Sequence, residues 1–205
     1  MPLAEERLVR ESIPETPNSS TPTMTIDTLW APWRMAYIVE DVKSTEPPVA
    51  VGDDADPGCF ICQGVFDEAN DRKRLVVRRT DLTISILNRF PYNNGHILVA
   101  PRCHSGTLAS LTDAEKVALI HEIDRWTEIL TQKMSPDGFN IGLNLGRSAG
   151  AGLPGHLHWH IVPRWTGDTN YMTTIASAKV IPQALESLWE ILTQAANRRT
   201  TDHKP

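Results

Sequence analysis

The chain has 205 residues, 40% of them hydrophobic and 22% charged, with a formal net charge of −5, a composition typical of one globular domain. The negative charge argues against binding to duplex nucleic acid, and no segment approaches the roughly 20 apolar residues that a membrane span needs. Because residues 1–15 lack the apolar run of a secretory signal and the three cysteines do not make a disulfide framework, we expect a cytoplasmic protein.

The N-terminal segment, residues 1–24, is rich in Pro, Ser, Thr and Glu, which predicts disorder. We expect a folded domain over residues 25–175 and a C-terminal helix and tail over residues 176–205. Residues 43–58 are irregular and acidic, typical of a solvated loop. Cys59 and Cys62 follow that loop as a C-x-x-C pair. Two thiolates at this spacing can bind zinc if two further ligands are supplied, or they can form a reduced or redox-active pair.

The rest of the chain predicts an antiparallel sheet with separate helices, which is the α+β class. Strands are predicted over residues 75–77, 82–87, 96–100, 139–144 and 156–162. Thr112 and Glu115 form a capping box at the start of a long helix, whose apolar stripe is Leu119, Ile123, Trp126 and Leu130. A second helix is predicted to have Pro182 in its first turn. Its apolar side is formed by Leu185, Leu188, Trp189 and Leu192.

Three of the chain's seven histidines lie close together, in the sequence HLHWHIV at residues 156–162. Histidine alternates with apolar residues, which is the period of a half-buried strand, so His156, His158 and His160 are expected to point to one side. An imidazole can act as nucleophile, proton donor or metal ligand near neutral pH. The pattern therefore indicates a functional site rather than a merely solvated face.

Two chemistries fit three aligned histidines. A single metal ion would need the ligand atoms to converge to about 2.1 Å from it, whereas the outer two of the three lie about 13 Å apart on a straight strand. The alternative is a nucleotidyl-transfer face, on which one neutral imidazole attacks phosphorus and its neighbours hold oxygens. The spacing favours three different tasks over one shared ion.

This segment resembles the signature of the histidine triad (HIT) superfamily of nucleotide hydrolases and transferases. The opening and closing segments look most like the branch that contains diadenosine tetraphosphate phosphorylases and dinucleoside polyphosphate hydrolases. All of this similarity follows Met24, which is therefore an alternative start of the protein. Similar segments occur in the expected order as DTLWAPWR (27–34), CFIC (59–62), LNRFPYNNGH (87–96), PRCH (101–104) and PRWTGD (163–168).

The resemblance implies a HIT-like fold, with an antiparallel sheet of about five strands, a long helix and a C-terminal helix. It also implies a structural zinc ion, for which the matching positions form one Cys2His2 set: Cys59, Cys62, His104 and His156. In that arrangement His156 faces the metal, while His158 and His160 face the substrate. Cys103 is expected to be a small buried residue rather than a ligand.

The resemblance further implies that His158 is the nucleophile, that His160 lies near the phosphate oxygens and the leaving group, and that His96 lines the same site. A core role for His96 remains an equal alternative. The positions that match nucleotide contacts are Asn88 (ribose), Asn144 (phosphate) and the loop residues Arg147, Ser148, Gly150 and Gly152. The usual Ser or Thr before the triad is replaced by Gly152 and Leu153, so a hydroxyl contact to phosphate is expected to be missing. Arg164 and Trp165 can bind distal phosphates, or Trp165 can belong to the core.

We therefore expect an enzyme that cleaves at the α-phosphate of an adenine nucleotide, most simply a dinucleoside polyphosphate, with phosphate or water as acceptor. A nucleoside phosphoramidate hydrolase, a nucleotide-binding interaction protein and a three-histidine metallohydrolase are the alternatives. A homodimer is also expected, because triad proteins usually pair by extending one sheet across both subunits. Trp126, Val117 and Ile120 suggest a long helix that is apolar on more than one side.

Overall fold

The computed structural model describes residues 55–169 and 181–197. The N-terminal segment 1–24 and both ends of the predicted domain, at residues 25 and 175, lie outside the described residues. None of the helices within the described ranges is long and apolar enough to cross a bilayer.

Five strands form one antiparallel sheet in the order β1-β2-β3-β5-β4. They are β1 (Val76–Arg79), β2 (Thr83–Leu87), β3 (Ile97–Pro101), β4 (Gly138–Leu143) and β5 (Trp159–Arg164). β2 and β3 are buried along their whole length, as expected for central strands. β4 forms one edge of the sheet and has no buried residue. The prediction of an α+β fold with a five-stranded antiparallel sheet is confirmed.

Four α-helices accompany the sheet in the described part of the chain: α1 (Phe60–Phe66), α2 (Asp71–Arg74), α3 (Asp113–Met134) and α4 (Leu185–Asn197). The predicted capping box begins α3, where Thr112 and Glu115 bond to each other's backbone N–H groups. The whole predicted stripe of α3 is buried. α4 starts later than Pro182 predicts, because its first helical hydrogen bond runs from the N–H of Leu188 to the carbonyl of Ala184.

A buried polar network joins α3 to the sheet at Trp126, which is 0% exposed. The Trp126 indole N–H donates to the Ser85 hydroxyl, which in turn donates to Glu122. Arg78 contacts the same carboxylate and also donates to the carbonyl of Ala196 in α4. Trp126 is therefore a core residue, and the expectation that it helps to form a dimer surface is wrong. Val117 (55% exposed) and Ile120 (61% exposed) lie earlier on the same helix and are available for contact with a second subunit.

The triad segment is only partly a strand, since β5 begins at Trp159 rather than at His156. In the β3–β5 register Val99 lies opposite Trp159, which would place Leu157 opposite Pro101. Proline has no N–H to donate to the ladder. The carbonyl of Pro101 instead bonds to the His156 side chain, and the N–H of Leu157 donates to Ser105. His156 and His158 therefore precede the strand, in a segment whose course is set by these two contacts.

Candidate metal and nucleotidyl-transfer site

Four potential metal ligands converge beside the start of α1: Cys59, Cys62, His104 and His156, whose ligand atoms all lie within 4.8 Å of one another. Cys59 Sγ is 3.3 Å from His156 Nδ1, and Cys62 Sγ is 3.2 Å from His104 Nδ1. In a tetrahedral zinc site with ordinary bond lengths, a sulfur and a nitrogen ligand are separated by about 3.6 Å. The four side chains thus fit a closed tetrahedral zinc site.

The surroundings of this pocket suit a bound cation. Cys59 is the N-cap of α1, and its sulfur accepts the N–H of Cys62, so the helix terminus favours a thiolate there. Without a metal, burial raises the pKa of the Cys59 thiol to about 12, and a coordinating cation would reverse that preference. Burial lowers the pKa of His156 to about 4, which keeps the imidazole neutral as a ligand requires.

The His156 ring is oriented by its second nitrogen. His156 Nε2 is 2.9 Å from the carbonyl of Pro101, which fixes the hydrogen on Nε2 and turns Nδ1 toward the two sulfurs. A ligand imidazole held by a carbonyl on its far side is typical of zinc sites. Because Nδ1 of His156 faces the cysteines, the three triad histidines do not converge on one ion, which argues against the three-histidine metallohydrolase.

Cys103 does not join this cluster and is exposed, so the expectation that it is a buried small residue is wrong. Cys103 is exposed because it lies just beyond the end of β3 at Pro101, where the buried residues of that strand end. Its pKa is nonetheless raised to about 11 by partial burial and by the neighbouring Glu115.

His158 has one nitrogen committed to the backbone. Its Nδ1 lies 2.8 Å from the carbonyl of His156, so Nδ1 carries the hydrogen and Nε2 holds the lone pair. The side chain is buried, with 6% of its surface exposed. Burial lowers the pKa of His158 and so favours the neutral ring. The structure thus supplies a neutral imidazole with a defined nucleophilic nitrogen.

His160 receives a hydrogen bond from His96. The backbone N–H of Tyr92 points at His96 Nδ1 (3.1 Å), and the Asn88 amide nitrogen is 3.2 Å from the same atom. Since both groups are donors, Nδ1 of His96 carries no hydrogen and Nε2 does. That Nε2 is 2.9 Å from His160 Nδ1. His160 accepts there and, when neutral, carries its own hydrogen on Nε2.

The rings of this group are packed together as well as hydrogen-bonded. The centroids of His158 and His160 are 5.1 Å apart, and Tyr92 is stacked on His160 at 5.7 Å with an interplanar angle of 17°. His96 is fully buried. It accepts from the backbone N–H of Tyr92 and also contacts the triad histidine His160. Tyr92 was missed by the sequence analysis, although it belongs to the segment LNRFPYNNGH.

The predicted nucleotide contacts fall into two places. Asn88 is beside His96, with its amide oxygen bonded to the N–H of Phe90. Asn144 follows β4, and its amide lies 3.5 Å from the carbonyl of Gly150. The loop residues Arg147, Ser148, Gly150 and Gly152 are exposed on the connection between β4 and β5.

Within this loop several backbone groups already have partners. The N–H groups of Ala149, Gly150 and Ala151 bond to carbonyls inside the loop. Gly146 and Gly150 have φ values of +79° and +86°, which favour glycine. The loop is therefore a closed turn, and the Asn144 side chain contacts it at the carbonyl of Gly150. The backbone N–H groups of Arg147 and Ser148 are the candidates for binding an anion.

Arg164 and Trp165 are engaged within the fold. Arg164 pairs with Asp168 and donates to Asn140, and the Trp165 indole lies against the carbonyls of Met134 and Ser135. These contacts hold Trp165 against the end of α3, where it is half-buried and lies outside the hydrophobic core. Arg164 has a structural partner in Asp168.

Known proteins are similar to this chain in sequence and in fold. A family model described as the HIT domain matches residues 70–167. The AP-4-A phosphorylase of Mycobacterium tuberculosis is 40% identical over 164 residues, which cover 80% of this chain and 81% of that protein. The asymmetrical bis(5'-nucleosyl)-tetraphosphatase of Schizosaccharomyces pombe is 33% identical over 93 residues, or 45% of this chain and 50% of that one.

Solved structures match as well, among them a hypothetical histidine triad nucleotide-binding protein from Sulfolobus tokodaii. It has a TM-score of 0.52 at 24% identity, and the match covers 67% of this chain and 91% of that one. This likeness concerns the fold. Together with the sequence relatives, it confirms the resemblance predicted from the triad and its flanking segments. The chain belongs to the histidine triad family.

Proposed function

We propose that this chain is a nucleotide-processing enzyme that cleaves at the α-phosphate of an adenine nucleotide, with a dinucleoside polyphosphate as the preferred class of substrate. The observation that carries the proposal is the pair of defined ring tautomers. His158 offers a lone pair on Nε2, while the adjacent His160, when neutral, offers a hydrogen on Nε2. The names of the relatives from M. tuberculosis and S. pombe support the same substrate class.

In the first step, Nε2 of His158 attacks the α-phosphorus. A phosphorus–nitrogen bond forms, and the bond from phosphorus to the leaving-group oxygen breaks with its electron pair going to that oxygen. The Nε2–H of His160 donates a hydrogen bond to the departing oxygen, while Nδ1 of His160 accepts a hydrogen bond from Nε2–H of His96. The carbonyl of His156 stabilises the positive imidazole of the intermediate by accepting the Nδ1 hydrogen of His158.

In the second step, an oxygen of phosphate or water attacks the same phosphorus, and an attacking water releases one proton to the solvent. The phosphorus–nitrogen bond breaks, and its electron pair returns to Nε2 of His158. An imidazole suits both steps because it is nucleophilic when neutral and a good leaving group when attached to phosphorus as a cation. Phosphate as acceptor gives a nucleoside diphosphate, and water gives a monophosphate.

The Cys2His2 group would hold zinc in a structural role, since four protein ligands complete a tetrahedral site. Bound zinc would cross-link the start of α1 to the triad segment and add folding free energy. His156 connects the two regions, because its side chain belongs to the metal pocket and its carbonyl holds His158.

For the nucleotide itself, we propose that Asn88 approaches the ribose and that Asn144 and the following loop approach the phosphates. Asn88 is half-buried beside His96, so it lies at the edge of the catalytic group. Arg147 and Ser148 are exposed on a glycine-flanked turn, where side chains and amides can meet an anion.

We also propose that the protein is a cytoplasmic homodimer in which β4 of one subunit pairs with β4 of the other. β4 is an edge strand with an exposed Ile141 (47%), and an exposed edge with apolar residues favours pairing. The exposed Val117 and Ile120 on α3 add apolar surface.

The function is tested by incubating the purified protein with diadenosine tetraphosphate, with and without inorganic phosphate, and separating the products. We expect ADP to form only when phosphate is present if phosphate is the acceptor, and AMP in both cases if water is. Cleavage of a nucleoside phosphoramidate but not of the dinucleotide would indicate the phosphoramidate hydrolase. Tight binding of AMP without turnover of either compound would contradict the enzymatic proposal.

The nucleophile is tested with His158→Asn. An asparagine amide can still donate to the carbonyl of His156, so the buried segment keeps its contact while the nucleophile is lost. We expect kcat to fall by roughly a thousandfold or more, with AMP binding retained. His121→Asn, on the exposed side of α3, is the matched control and keeps full activity. Activity of His158→Asn above about a hundredth of the original would exclude His158 as nucleophile.

A further inference from the structure

A polar cluster outside the histidines holds the loop that carries His96. Asp168 ends a turn in the segment PRWTGD, and its side chain is 7% exposed. The carboxylate accepts from Arg164, from the N–H of Trp165, and from the amide of Asn93 at 2.8 Å. None of the nucleotide chemistry above uses this carboxylate.

Asn93 is committed to this cluster by both hydrogens of its amide. Its Nδ2 donates to Asp168 Oδ2 and to the carbonyl of Pro163 at 3.0 Å. Since both partners are acceptors, the orientation of the amide is fixed. The side chain is 4% exposed, so water cannot easily replace these bonds. Asn93 therefore anchors the loop between β2 and β3 to the end of β5.

The residue next to this anchor sets the hydrogen positions of the catalytic group. The N–H of Tyr92 donates to His96 Nδ1, which places the hydrogen of His96 on Nε2 and directs it to His160. The ring of Tyr92 also stacks on His160. If the loop moved at Asn93, the hydrogen bond from Tyr92 to His96 and the stacking of Tyr92 on His160 would be lost together.

We propose that Asp168 is a positioning residue for the reaction, which acts through Asn93 and the backbone of Tyr92 to hold His96 and His160 in the tautomers that catalysis uses. The proposal rests on the proposed function for its catalytic consequence, but the tautomers themselves are a property of the protein without substrate. Loss of the anchor lets His96 carry its hydrogen on Nδ1. His160 then loses its donor and ceases to present a hydrogen on Nε2 in every molecule.

The test uses Asp168→Asn, which keeps the shape of the side chain but brings amide hydrogens against those of Asn93 and Arg164. The matched control is Asp137→Asn, because Asp137 accepts the N–H of Thr166 in the same turn. Asn93→Ser, which is too short to reach Asp168, gives a second route if Asp168→Asn does not fold.

The first readout is nitrogen NMR of histidine-labelled full-length protein without ligand, in which protonated and unprotonated ring nitrogens resonate separately. We expect a single tautomer for His96 and for His160 in the wild type and in Asp137→Asn, and a mixture in Asp168→Asn and Asn93→Ser. Unchanged tautomers in a folded Asp168→Asn or Asn93→Ser protein would overturn the proposal, whatever the activity.

The second readout is the kinetics of diadenosine tetraphosphate cleavage. For Asp168→Asn we expect kcat to fall roughly 10- to 100-fold, as for a misplaced catalytic group, with KM within about threefold. Asp137→Asn keeps both constants within about twofold. An equal fall in kcat for the control would show a merely structural role for the turn. If neither the wild type nor any variant cleaves the dinucleotide, the proposed function is wrong. The NMR result still decides whether Asp168 positions the two histidines.

Discussion

The burial of His156 predicts a specific loss of stability in mild acid. Its imidazole has a pKa of about 4 in the folded chain and 6.5 as the ordinary value, because burial disfavours the charged ring. The unfolded chain therefore binds a proton between these two values that the folded chain does not bind. Unfolding takes up that proton, so stability is complete above about pH 6.5 and falls as the pH is lowered to about 4.

The size of the loss follows from the two pKa values. The difference between 6.5 and about 4, at 1.36 kcal/mol for each pH unit, corresponds to about 3 kcal/mol. That is a large share of the roughly 5–15 kcal/mol by which domains are usually stable. Bound zinc would sharpen the dependence, since protons must displace the metal from its ligands.

The assay is urea unfolding followed by tryptophan fluorescence, at several pH values between 4 and 7. It is run on chelator-treated protein and repeated with added zinc. His156→Asn cannot titrate, and we expect it to lose the part of the slope of stability against pH that His156 contributes, while the buried His158, whose pKa is also lowered, keeps its own part. His121→Asn, on the exposed side of α3, should retain the full slope. If His156→Asn and the wild type gave the same slope in chelated protein, the argument from burial would be refuted.

Three further predictions concern the metal, the core and the dimer. Protein purified without chelator should contain about one zinc per chain by elemental analysis, and Cys59→Ser should lose both the metal and stability to thermal unfolding. Cys103→Ser, at an exposed position, should keep both the metal and the stability. Ser85→Ala should lower the free energy of unfolding in urea by about 1–3 kcal/mol, because it leaves the buried Trp126 N–H without its acceptor; no measurable loss would contradict the role of that bond. Light scattering should show two chains for the wild type and one for Ile141→Glu, while Phe66→Glu on α1 should stay dimeric; a wild-type monomer would end the dimer proposal.

The elements that were predictable from sequence are those with a local signal. The capping box at Thr112 and Glu115 and the buried stripe of α3 need only helical periodicity, and the structure confirms them. The four residues of the metal pocket came from the resemblance, because a C-x-x-C pair alone does not identify ligands that lie 42 and 94 or 97 positions further along the chain.

The errors arose where tertiary contacts override a local pattern. Alternating histidines predict a strand from residue 156, but Pro101 cannot donate across the sheet at that position, so β5 begins at Trp159. The role of Asn93 had no sequence signal of its own, since its partner Asp168 lies 75 residues away. Tyr92 could have been suspected from its place four residues before His96, but only the folded loop shows its N–H meeting that ring.

The position of β5 in the sheet determines when the site can form during synthesis. β5 separates β3 from β4, although it leaves the ribosome after both. Until residues 159–164 have emerged, β3 has no partner on the side that β5 later occupies, and β4 has no partner in the described sheet. Pairing of such distant segments is slow, because the chain must close long loops before contacts repay the lost entropy. The nascent chain therefore has unpaired strand edges on both β3 and β4 until β5 is made, and insertion of this one strand closes the sheet and brings His160 beside His96 in the same event.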